Sequence, residues 1–140
     1  MQAKNVLHIS VAAAASIFLV GLTLHMPRTP SRVIGLALMV ISFVLWAIAR
    51  IQLGNSFAVR AKATALVTRG LYSKIRNPVY LFGTCWLAAY LLSIGRLARP
   101  IWPLLLLLVP LQIIRARREA LLLQDRFGQD YRNYRRKTWF

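Results

Sequence analysis

From Val33 to Ala49 the chain reads VIGLALMVISFVLWAIA, seventeen residues without a single Lys, Arg, Asp or Glu. Val6 to Met26, VLHISVAAAASIFLVGLTLHM, is equally free of them. A hydrocarbon core about 30 Å thick asks for about 20 apolar residues in a helix. Val6–His25 supplies that length and Val33–Ala49 comes close. Pro78–Gly95 is a third candidate, opening on a proline that suits a first helical turn. A fourth, Leu97–Ile114, holds Pro100, Pro103 and Pro110 around an aliphatic run, with Arg99 and Arg115 placed to snorkel from its ends. The expected fold is therefore all-α, with about four transmembrane helices at 6–25, 33–49, 78–95 and 97–114. Residues 1–140 form one domain of a polytopic membrane protein, ending in a C-terminal helical extension.

Composition agrees. Hydrophobic residues make up 58% of the chain, against ~45–50% in ordinary soluble domains. The 19 basic residues against three acids give a net charge of +16, which on its own suits a nucleic-acid binder or a membrane protein with basic loops. The long uncharged runs exclude the first, because a soluble binder could not hide them from water. The first run follows Lys4 and contains Ala12–Ala15, like a secretory signal. It exceeds the ~7–15 residues of a signal core, so it is read as a retained span. Cys85 is the one cysteine, which leaves no disulfide framework and no paired-cysteine metal site.

Charge also orients the chain. Lys4, the loop carrying Arg50, Arg60, Lys62, Arg69, Lys74 and Arg76, and the tail from Arg115 onward hold fifteen of the basic residues. The loops 26–32 and 96–100 hold two each. By the positive-inside rule both termini and the long loop are expected to be cytoplasmic, in a multi-pass protein of the plasma (inner) membrane. Most of the +16 charge is then explained by topology.

Two polar islands consequently face the same side. The first runs Leu66-Val67-Thr68-Arg69-Gly70-Leu71-Tyr72-Ser73-Lys74-Ile75-Arg76-Asn77-Pro78-Val79-Tyr80. Gly70 permits a turn, and Asn77, held away from helix by Pro78, marks the start of the next span. A backbone broken this way bares N–H groups near a helix N-terminus, where an anion can bind. Tyr72 and Tyr80 offer faces to a ring or a cation. The plainer reading is an interfacial loop with basic anchors. The second island, Arg115–Tyr134, holds all three acids, Glu119, Asp125 and Asp130. Arg115 and Glu119 share one helical face, at minimum a surface ion pair worth ~0.2–0.5 kcal/mol. Phe127-Gly128 reads as a helix break followed by an amphipathic return.

The order of these residues resembles the isoprenylcysteine carboxyl methyltransferase and phospholipid methyltransferase group of integral-membrane enzymes. That group's first motif runs Leu-Val-Thr-x-Gly-x-Tyr-x-x-x-Arg-His-Pro-x-Tyr, matched at Leu66, Val67, Thr68, Gly70, Tyr72, Arg76, Pro78 and Tyr80. Its second has an Arg, a Glu-Glu pair and Phe-Gly-x-x-Tyr-x-x-Tyr; Arg115, Glu119, Phe127, Gly128, Tyr131 and Tyr134 are in register. The resemblance covers the C-terminal half, with motifs at 64–80 and 115–134. It implies S-adenosylmethionine as cofactor, bound on the cytoplasmic face by Thr64, Ala65, Leu66, Val67, Tyr72, Asn77, Pro78, Val79, Tyr80 and Glu119. Arg115 would orient a lipophilic acceptor, and no metal is implied. Three positions depart from the pattern. Asn77 replaces the His before Pro, Ala120 the second Glu, and Thr64 an upstream His.

Carboxyl O-methylation of an isoprenylcysteine-like or other amphiphilic acid is the expected activity, because Arg115 suits an anionic acceptor. Lipid N-methylation is the alternative, and a binding protein without turnover, suggested by Asn77 and Ala120, is the reading from another class. No nucleic-acid partner is expected, and the residues leave the oligomeric state open. Anionic headgroups are the expected partner of the basic tail, each basic residue near such a surface being worth about 1 kcal/mol. Neutralising Arg132, Arg135, Arg136 and Lys137 together should weaken association with anionic liposomes by up to roughly a thousandfold, at about 1 kcal/mol per charge. Unchanged association would remove the tail from the membrane surface.

Overall fold

The computed structural model describes residues 3–23, 25–54 and 66–139, with only the backbone for 3–5. Four helices carry the chain: α1 (Ala3–Thr23), α2 (Pro30–Leu53), α3 (Pro78–Ile94) and α4 (Trp102–Lys137). Short 3-10 turns occupy Gly70–Ser73 and Gly95–Ala98, and the described residues contain no strand. Among the described residues, three segments are long and apolar enough to cross a membrane: Val6–Thr23, Pro30–Leu53, and Pro78–Ala98, which runs through the second 3-10 turn.

Their boundaries follow local chemistry. Thr29 caps α2, its side chain accepting from the Arg32 amide, with Pro30 at the first turn. The Arg32 guanidinium folds back onto the carbonyls of Met26 and Pro27, so a charge at the membrane boundary replaces hydration with the carbonyls of the α1–α2 turn. Pro78 opens α3, as its fixed φ favours. Gly54 and Gly95 take positive φ, at 52° and 58°, where α2 and α3 end.

The fourth expected span behaves differently. Helix begins only at Trp102, after the 3-10 turn and the proline at Pro100. The apolar section Trp102–Ile114 rises roughly 20 Å at the usual pitch, and the same helix continues in a more polar stretch for roughly three and a half turns to Gly128. Pro110 is accommodated without a break; the non-helical angles inside α4 fall at Gly128 (φ 49°, ψ −115°). The expected break at Phe127-Gly128 is therefore found, and it bends the last turns back toward the first polar island.

Packing centres on α2 against α3. A Cβ on Gly35 would lie 2.6 Å from the Ser93 nitrogen and 2.8 Å from the Ala89 carbonyl oxygen. Only glycine lets the two backbones approach this far, the small-residue packing that membrane interfaces use when hydrophobic driving force is absent. Leu91, Ala98 and Leu105 form a buried cluster linking α3 to the start of α4. α1 is attached more lightly, through Trp86 Nε1 donating to Ser16 Oγ (3.2 Å) and Arg50 Nη2 donating to His8 Nδ1 (2.8 Å). The outward apolar residues of α1, such as Ile17 and Phe18, are exposed, as a lipid-facing surface should be. Gly35→Ala should destabilise the protein by about 1–3 kcal/mol, the usual cost of overpacking. Gly21→Ala, where the added methyl meets nothing within 4 Å, should leave the melting temperature in detergent unchanged or higher.

Candidate active site

The 3-10 turn of the first island is built on the end of α2. Gln52 Oε1 accepts from the Leu71 amide (2.8 Å), and Gly70, at φ 61°, lies against the same Gln52 side chain. A residue with a Cβ would meet both the positive φ and that amide, so glycine is needed here. The turn delivers Tyr72 into the interior, 6% exposed. Leu66 and Val67 precede the turn in irregular, half-buried chain. Thr64 and Ala65 lie outside the described residues.

The C-terminal return closes over this turn. Past Gly128, Tyr131 is buried, and Tyr134 donates its hydroxyl proton to the Tyr72 carbonyl (2.7 Å). A single β-bridge follows: the Arg76 amide donates to the Trp139 carbonyl (3.1 Å) and the Trp139 amide to the Lys74 carbonyl (2.6 Å). Burial raises the Tyr134 phenol to about 12, with Tyr131 adding and Arg76 opposing. Burial likewise drives the Tyr72 phenol far above its ordinary value; Tyr134, Glu119 and Tyr80 reinforce the rise and Arg50 counters it. Tyr72 therefore lies within electrostatic reach of both islands and of the end of α2.

The two islands meet directly one turn further on. Tyr80, at the start of α3, donates to Glu119 Oε1 on α4 (2.6 Å). Arg115 Nε lies 3.5 Å from the same oxygen, and its guanidinium carbon sits 5.8 Å from the Tyr80 ring centroid. Glu119 Oε2 has no hydrogen-bond partner among the described residues. Asp125 and Asp130 are exposed, which leaves Glu119 as the carboxylate of the site. Asn77 stands at the N-cap of α3 without a side-chain capping bond, and the first-turn amides of Val79 and Tyr80 have no intrahelical acceptor. Arg76 Nε is buried without a partner among the described residues.

Below this cluster, between α3 and α4, lies a cleft of about 120 Å³ lined by Tyr80, Leu81, Thr84, Val109, Gln112, Ile113 and Ala116. The described residues contain no group of three or more side chains suited to hold a metal.

The structure thus brings Tyr72, Asn77, Pro78, Val79, Tyr80, Arg115 and Glu119 to one end of the helices. Arg50, Gln52, Thr84, Gln112 and Tyr134 were not singled out as site residues in the sequence. Arg50 counts there only among the basic residues of the long loop, and nothing in the local pattern marks Gln52. Thr84 and Gln112 carried a usable signal, as polar side chains within apolar helices.

Among the described residues, three helical segments long and apolar enough to cross a membrane carry polar motifs gathered at one end. The family model described as phospholipid methyltransferase matches residues 30–130. The chain belongs to that family, within the isoprenylcysteine and phospholipid group of membrane methyltransferases. No curated protein and no solved structure matches it.

The Tyr134 contact has a testable consequence. Free tyrosine titrates near 10, so between pH ~10 and ~12 the unfolded chain loses this proton before the folded one, and stability falls as pH rises. Tyr134→Phe should flatten part of that decline in thermal unfolding measured against pH, with Tyr72 contributing further. A profile identical to that of the wild type would mean the phenol is not held as described.

Proposed function

We propose that the chain is an S-adenosylmethionine-dependent methyltransferase that modifies the polar head of an amphiphile entering from the bilayer, on the cytoplasmic face. The observation that carries this reading is the Tyr80–Glu119–Arg115 cluster, which joins the two motif islands at the end of an apolar cleft.

The residues present fit that cofactor. It combines an amino-acid carboxylate, an ammonium, ribose hydroxyls and an aromatic base. The open first turn of α3, uncapped Asn77 and the unpartnered Arg76 Nε suit the carboxylate. Glu119 suits the ribose hydroxyls or the ammonium, and Tyr72 and Tyr80 supply aromatic surface. When bound, S-adenosylmethionine supplies a methyl group on a sulfonium, electrophilic enough that alignment and exclusion of water are the protein's main tasks. Tyr80 and Arg115 hold the Glu119 carboxylate in one orientation, and the C-terminal return shields the turn at Tyr72 from solvent.

For the acceptor, an amino headgroup of a phospholipid is the leading reading. Arg115 is already opposed by Glu119, whereas Glu119 Oε2 can receive a cationic or N–H-bearing head. An amine must shed a proton before it attacks, and Glu119 is the site's one carboxylate able to take it. Carboxyl O-methylation is the second reading, favoured by the 48% exposure of the Arg115 side chain. Arg115 can turn from Glu119 to grip a substrate carboxylate bidentately.

Calorimetry of S-adenosylmethionine on detergent-purified protein tests the cofactor site. Glu119→Ala should weaken binding roughly 10- to 100-fold, the worth of a charge-assisted hydrogen bond. Labelled methyl should then appear in a total lipid extract. A folded wild-type protein that binds no cofactor would reduce the chain to a membrane-binding protein without turnover.

A further inference from the structure

We propose that Gln112, held in place by Thr84, is a specificity-determining residue that recognises the acyl carbonyl joining the acceptor's head to its tail. The acceptor class is thereby an acyl-linked lipid and not a bare alkyl or prenyl chain. The headgroup chemistry rests on the methyl-transfer reading above; the linkage rests on the cleft alone.

Gln112 lies three residues before Arg115, in the apolar section Trp102–Ile114 of α4, where an amide without a partner is costly. Its side chain lines the cleft between α3 and α4 together with Thr84. Thr84 Oγ1 is 2.8 Å from Gln112 Oε1 and 2.9 Å from the Tyr80 carbonyl oxygen. A hydroxyl has one proton, so the Gln112 amide meets Thr84 either as acceptor or, rotated, as donor. In either orientation at least one Gln112 N–H has no partner among the described residues. The other lining side chains at its level, Leu81, Val109 and Ile113, offer it none. The cleft is therefore an apolar slot with one fixed, unsatisfied donor. A hydrocarbon chain would fill the slot and leave that donor bare. An ester or amide carbonyl would fill it and accept the proton.

Position along the helix supports this assignment. Gln112 and Glu119 are seven residues apart on one helix, a rise of roughly 10 Å. Tyr80 belongs to both levels, its hydroxyl on Glu119 and its side chain in the cleft wall. A polar head at Glu119 and a carbonyl at Gln112 fit one elongated molecule with its linkage several bonds below the head. A thioether-linked prenyl chain places only apolar atoms at that depth.

The test uses the full chain in nanodiscs with equal amounts of diacyl and dialkyl phosphatidylethanolamine of matched chain length. After detergent extraction, retained lipid is quantified by mass spectrometry. The wild type should retain the diacyl form over the dialkyl roughly tenfold, the worth of one hydrogen bond. Gln112→Met, similar in volume but without the amide, should bring the ratio close to one. Thr84→Val keeps the amide but releases its hold, and should lower the ratio severalfold. A wild-type ratio near one, or a bias that survives both substitutions, would overturn the inference and make Thr84–Gln112 an interhelical tie only. Labelled-cofactor assays on the same discs separate the two readings. Bias without methyl transfer strikes the methyltransferase reading and supports the cleft assignment; equal KM for both lipids, with transfer intact, does the reverse.

Discussion

The hydrogen bond from Tyr80 to Glu119, at 2.6 Å, is the contact on which the polar end of the molecule depends. It joins the first turn of α3 to a point in α4 just beyond its apolar section, and few other contacts hold those helices together. Arg115 stands on the same carboxylate oxygen and beside the same ring, so one side chain neutralises the acid and brackets the tyrosine. Around this point the remaining site residues arrange themselves. Tyr72 lies on one side beneath the C-terminal return, and the Thr84–Gln112 pair lies on the other, toward the bilayer.

The membrane explains why so few contacts suffice. Apolar helices placed in lipid gain nothing by burying apolar surface against one another, so specificity comes from close backbone approach and from scattered polar ties. Gly35 against Ala89 and Ser93 is the first kind. Trp86 on Ser16, Arg50 on His8 and Thr84 on Gln112 are the second. Outside the membrane ordinary rules return. There the first island is fixed by a side-chain cap from Gln52, a β-bridge through Trp139 and the buried Tyr72 and Tyr131.

This division gives the site two kinds of wall. The roof is polar and hydrogen-bonded, and it is assembled from residues more than 60 positions apart, as Tyr72 and Tyr134 illustrate. The floor is an apolar cleft relieved by one amide. A molecule spanning both must be amphiphilic. That conclusion stands on the geometry and agrees with the family to which the chain belongs.

What the sequence determined by itself were the elements and the end at which polarity collects. Uncharged runs long enough for a bilayer admit nothing but helices, and Pro78 and Gly128 mark a helix start and a break through fixed φ and positive φ respectively. The Arg115–Glu119 pair was legible because a spacing of four places both on one helical face. The fourth apolar segment was less so. Its length counted residues on both sides of Pro100, and only the backbone shows that the helix starts at Trp102. Tertiary structure alone decided which residues meet across the chain. Tyr80 selects Glu119, Gln52 caps a turn nineteen residues later, and Gln112 faces a cleft with Thr84. Periodicity fixes the face a residue occupies on its own helix but not the rotation of that helix against its neighbours, and in lipid no hydrophobic stripe exists to reveal it.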